Sequence, residues 1–91
     1  MPLDHGIGDA VQQRDGSVVF PISAGAHLVR CTVTREALAI LIPDHDDPRK
    51  VFSHSRPKIE RLARKKIRAG AIEADGTVKL TAIDVLGLFP D

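Results

Sequence analysis

Between Pro48 and Gly70 the chain reads PRKVFSHSRPKIERLARKKIRAG, and its apolar residues recur at one spacing. At about 100° per residue, Phe52, Ser55, Ile59, Leu62 and Ala63 share one side of a helix, with Val51 and Ile67 at its flanks. Lys50, Lys58, Arg61, Arg64, Lys65 and Arg68 project from the other. A rod of this kind spans roughly 30 Å. In a chain of 91 residues, everything else has to pack against its apolar side. Asp47-Pro48 reads as N-cap and first helical position, and Gly70 as the C-terminal stop. Pro57 is the fault in the pattern. It removes a backbone donor and biases Arg56 away from helical geometry, which predicts a kink or two helices meeting at Arg56.

The remaining segments are short. Residues 1–14 carry Pro2, Gly6 and Gly8 and read as a flexible N-terminal tail, ahead of a single domain over 15–91. Asp15-Gly16 marks a turn. Val18, Phe20 and Ile22 then alternate with Val19 and Pro21, and after a second turn at Ser23-Ala24-Gly25, Val29, Cys31 and Val33 alternate with Arg30 and Thr32. The two runs predict an antiparallel hairpin. Thr34 is suited to cap a short helix, ALAILI, that is apolar on nearly every side. Asp75-Gly76 is a further turn signal before a third strand, Thr77 to Leu80. Thr81 with Asp84 resembles a capping box for a last helical turn through Leu88. The order predicts an α+β domain: a small antiparallel sheet, made of the N-terminal hairpin plus a third strand, packed on one face by the long helix and the short apolar one.

These positions also carry a resemblance. Phe20, Cys31, Ala37-Leu38, Phe52, Arg56, Ile59, Ala63, Lys66, Asp75-Gly76, Thr81 and Asp84 follow one another in the order and spacing of a group of small uncharacterised bacterial proteins. The chain resembles domain-of-unknown-function family 1488 over roughly residues 15–86. The resemblance implies a fold and no activity, and so no catalytic or binding residue is carried over from it. Pro57 departs from that pattern, in which a polar helix former stands at this place.

Charge supplies the leading functional feature. Nine of the thirteen Lys and Arg residues lie in 49–68, with Glu60 as the only acid there, although the whole chain is formally +1. Arg61 with Lys65, and Arg64 with Arg68, are like charges at i, i+4, each costing a few tenths of a kcal/mol. The face formed by Lys58, Arg61, Arg64, Lys65 and Arg68 is therefore the candidate contact surface for nucleic-acid phosphates or an acidic protein. The bland alternative is a solvated face, favoured near its end by the helix dipole. Lys66 falls inside the apolar stripe and is expected to lay its stem on the core with its ammonium at the surface; the alternative is pairing with a carboxylate, Asp84 or Glu36. Arg56, beside Pro57, is placed to cap carbonyls at a kink, and Arg56, Lys66 and Asp84 form a candidate polar cluster.

Other chemistries find little support. Cys31 is the only cysteine, so no internal disulfide forms, and its place among inward-facing residues predicts an inert thiol. Asp44, His45, Asp46 and Asp47 lack the glycine and bidentate Glu of a calcium loop. There is no phosphate-binding loop, dinucleotide fingerprint or serine elbow. The N-terminus lacks a signal-peptide pattern, and the longest apolar run, Ala37 to Ile42, is far short of a membrane span. The reading is a cytoplasmic, non-enzymatic binding or accessory module, with no cofactor, metal, small-molecule ligand or membrane partner. Homodimerisation through Ala37–Ile42 is a second expectation, and the alternatives are a purely structural homodimeric domain with a solvated basic face and an enzyme subunit with a site built between copies.

Overall fold

The computed structural model describes residues 10–43 and 47–87. Strands β1 (Val11–Gln12), β2 (Val18–Ala24) and β3 (His27–Val33) are followed by helices α1 (Arg35–Leu41) and α2 (Pro48–Arg68), strand β4 (Val78–Leu80) and helix α3 (Ala82–Leu86). The strands form one sheet in the order β1-β2-β3-β4. The fold is α+β, with the long helix on one face of the sheet.

The hairpin is built as its alternation predicts. Val18 pairs with Val33, Phe20 with Cys31 and Ile22 with Val29, and these residues point toward the helix. The departure from the expected antiparallel sheet is β4. It runs parallel to β3, with Cys31 opposite Val78 and Val33 opposite Leu80. The reason lies in the connection. Between β3 and β4 the chain makes α1 and then the whole of α2, and a crossover of that length returns it to the same end of the sheet. Part of the stretch read as a tail also belongs to the fold: Val11 and Gln12 pair with Val19 and Val18, and Ala10 is buried. Residues 1–9, the loop residues Asp44, His45 and Asp46, and the end of the last turn at Leu88 lie outside the described residues.

The turns into β2 and β4 share one design. In Asp15-Gly16-Ser17, Asp15 Oδ1 accepts from the Ser17 N–H at 2.9 Å and from its hydroxyl at 2.6 Å. In Asp75-Gly76-Thr77, Asp75 Oδ1 accepts from the Thr77 N–H at 3.1 Å and from its hydroxyl at 2.7 Å. Gly16 and Gly76 take φ of 90° and 86°, a region that costs any other residue steric strain. A Cβ on Gly16 would also come within 2.9 Å of the Arg35 side chain.

The core lies between sheet and α2. Val51, Phe52, Ser55, Ile59, Leu62 and Ala63 form the buried side of the helix, and the Phe20 and Phe52 rings meet with centroids 5.1 Å apart. Pro57 sits inside an uninterrupted helix, on its exposed side. The backbone bond that Pro57 cannot make is thus lost where water has access, and of the two expectations at Arg56, a kink or two separate helices, the second is not what forms. α1 is capped by the Thr34 hydroxyl, which accepts from the Ala37 N–H at 3.1 Å. It packs against α2 and α3. Ala37 and Leu38 are buried, and Ile40, Leu41 and Ile42 rest partly on the core. Much of its apolar surface is therefore covered within the chain.

Candidate functional site

α2 sorts its residues by side. Lys58, Arg61, Arg64, Lys65 and Arg68 are all exposed, while the buried stripe faces the sheet. From Lys58 to Arg68 the cations run along about 15 Å of helix axis. Glu60 is the carboxylate of this helix, and its Oε1 lies 4.0 Å from Arg64 Nη1, the outer limit of an ion pair. The dipole of α2 favours Lys65 and Arg68, which stand in its last turn. It does nothing for Lys58 and Arg61, which lie beyond its reach.

Lys66 and Asp84 meet. Lys66 Nζ donates to Asp84 Oδ2 at 2.9 Å and to the Lys79 carbonyl at 2.8 Å. The same Oδ2 accepts from the Thr81 N–H at 2.8 Å and from the Thr81 hydroxyl at 3.0 Å, completing the capping box of α3. Burial alone would push the Asp84 carboxyl up. The Thr81 backbone donor, the Lys66 ammonium and the Thr81 hydroxyl outweigh it and hold the pKa below the usual carboxylate value. The neighbouring Leu80 carbonyl accepts from the Thr34 N–H. By strand alternation the Lys79 carbonyl faces the outer edge of β4, where Lys66 occupies it.

Arg56 is placed elsewhere. Its Nε donates to Glu60 Oε2 at 2.7 Å, and its guanidinium lies 5.2 Å from the centroid of the Phe52 ring. Ten residues, about 15 Å of helix, separate it from Lys66. The expected cluster is therefore two separate contacts, Lys66–Asp84 and Arg56–Glu60.

Cys31 is fully buried, its Sγ–H points to the Val29 carbonyl at 3.7 Å, and burial pushes its pKa up to about 11. It is not poised as a nucleophile. Among the described residues no three His, Cys, Asp or Glu side chains gather as a metal site, and no helix is long and apolar enough to cross a membrane. A groove touches the basic helix. It measures about 300 Å³ and is lined by Ser23, Ala24 and Gly25 of the β2–β3 hairpin and by Arg64, Ile67 and Arg68 of α2.

The family model described as protein of unknown function (DUF1488) matches residues 8–80. The chain belongs to the DUF1488 family. A crystal structure of a DUF1488 protein of unknown function from Shewanella loihica PV-4 superposes with a TM-score of 0.72 at 15% identity, covering 87% of this chain and 96% of that one. At that identity the likeness concerns the fold. No curated protein matches the chain.

In this DUF1488 chain, periodicity alone isolates the basic face and marks Lys66 as misplaced in an apolar stripe. The hairpin groove was not predicted. It joins residues some forty positions apart, and no local pattern brings Gly25 to Arg68.

Proposed function

We propose that this DUF1488 protein is a non-enzymatic binding module that lays the basic face of α2, Lys58 to Arg68, along the phosphates of duplex or structured nucleic acid. The observation that carries this reading is the side-by-side exposure of five cations; among the described residues the carboxylate paired with them is Glu60, 4.0 Å from Arg64. Like charges held at i, i+4 work against the helix unless an anion relieves them. A nucleic-acid backbone, with its regularly spaced phosphates, is an anion that matches a linear array of charge. The face carries no exposed aromatic residue, so a backbone contact with little base recognition fits better than stacking on single strands.

Fluorescence anisotropy with a labelled duplex over a salt series tests the proposal. Binding at low salt that weakens linearly in log–log form as salt rises is the expected result. Absence of binding, with capture of an acidic protein by the same face, would move the surface to a protein-docking role.

A further inference from the structure

The groove between the β2–β3 hairpin and the end of α2 differs from the rest of the basic surface. Elsewhere the cations stand out from a convex helix. Here Arg64 and Arg68 form one wall and the hairpin turn forms the other, with the half-buried Ile67 also in the lining. Among the described residues no carboxylate lines it. His27 pairs with Ala24 across the hairpin, so the two share a face of the sheet. Gly25 has φ of 65°, and a Cβ added to it would meet nothing within 4 Å, so the turn leaves space for a ligand to approach its backbone.

We propose that this groove seats a single phosphate group, gripped by the guanidiniums of Arg64 and Arg68. A guanidinium presents paired N–H donors that match phosphate oxygens, and the two residues are one helical turn apart on the same side. A phosphate between them relieves their mutual repulsion. The inference rests on the phosphate-binding reading above and sharpens it. One phosphate is held in register at the hairpin, and Lys58, Arg61 and Lys65 supply diffuse attraction along the helix.

The test is a ¹H–¹⁵N NMR titration with inorganic phosphate at ionic strength held constant with chloride. Shifts should concentrate on the amides of Ser23 to His27 and on the side-chain N–H groups of Arg64 and Arg68. The double variant Arg64→Gln/Arg68→Gln should weaken phosphate binding at least tenfold. The charge-matched control Arg30→Gln/Lys79→Gln, on the other face of the sheet, should change it by less than twofold. Equal weakening by both pairs, or shifts spread evenly over every cation, overturns the seat. Duplexes with and without a 5′-phosphate distinguish the sources. Tighter binding of the phosphorylated duplex assigns the seat to a terminal phosphomonoester, and equal binding with hairpin shifts assigns it to the backbone. Duplex binding without hairpin shifts overturns the seat and leaves the basic-face reading standing. Phosphate seated at the hairpin with no duplex binding does the reverse.

Discussion

Lys66 Nζ lies 2.9 Å from Asp84 Oδ2 and thereby ties the last turns of α2 to the first turn of α3. Eighteen residues separate the two in sequence. The contact does three things with two side chains. It neutralises a cation inside an apolar stripe, caps α3, and places an ammonium on the outer edge of β4. Asp84→Ala removes the N3 half of the capping box together with the Lys66 ion pair, and should therefore cost about 1–2 kcal/mol at neutral pH.

Its pH dependence follows from the depressed carboxyl. The folded pKa of Asp84 lies below the unfolded value near 3.8, so the stabilisation is fully present above about pH 5 and fades as pH falls through the folded pKa. Urea unfolding of wild type and Asp84→Asn should show a stability gap at pH 7 that closes toward pH 2. A gap that stays constant over that interval contradicts the assignment.

Pro57 interrupts the backbone ladder of a helix that stays continuous through it. Because its side chain is exposed, Pro57→Ala restores a donor without disturbing the core. The variant should be more stable by roughly 1–3 kcal/mol, since proline is about 3 kcal/mol worse than alanine in a helix interior. A lower midpoint in denaturant would mean that the packing of α2 depends on geometry that proline imposes.

Phe52 is completely buried, rests on Phe20 and lies under the Arg56 guanidinium. Phe52→Ala should lose about 3–5 kcal/mol. In a domain whose total stability is of the order of 5–15 kcal/mol, that leaves a marginal fold. Circular dichroism melting is the check, and a shift of only a degree or two would show that this ring is not central to the core.

Cys31 should resist alkylation in the native protein at pH 8, because the thiol has no solvent access and a pKa of about 11. It should react at the rate of a free thiol once the protein is unfolded in guanidinium. Rapid labelling of the folded chain would contradict its burial.

What was legible in the sequence follows the range of the forces involved. The caps at Thr34, Asp47 and Thr81, the two Asp-Gly turns and the stripe of α2 are local, set by residues within a few positions of one another. They appear as expected, and Pro57 bends the rule only because it faces water. Three features escaped a linear reading. The direction of β4 depends on how α1 and α2 recross the sheet. The pairing of Val11 with Val19 adds a two-residue strand too short to show alternation. The choice of Asp84 over Glu36 as the partner of Lys66 depends on where α3 docks. At the functional surface, composition and helical period reveal the array of cations, whereas the groove beside Gly25 exists only after the hairpin has folded over the helix.

The most direct test of the central claim is the triple variant Arg61→Gln/Arg64→Gln/Lys65→Gln, measured against duplex DNA from low to moderate salt. Each phosphate neutralised contributes about 0.9 to the slope of log K against log salt, so three lost contacts should flatten it by roughly 2.7. All three side chains are exposed, so the melting temperature should hold or rise slightly as like-charge repulsion is relieved. An unchanged slope with intact binding, or a collapse in melting temperature that accounts for the lost binding, would contradict a polyanion-binding role for this face.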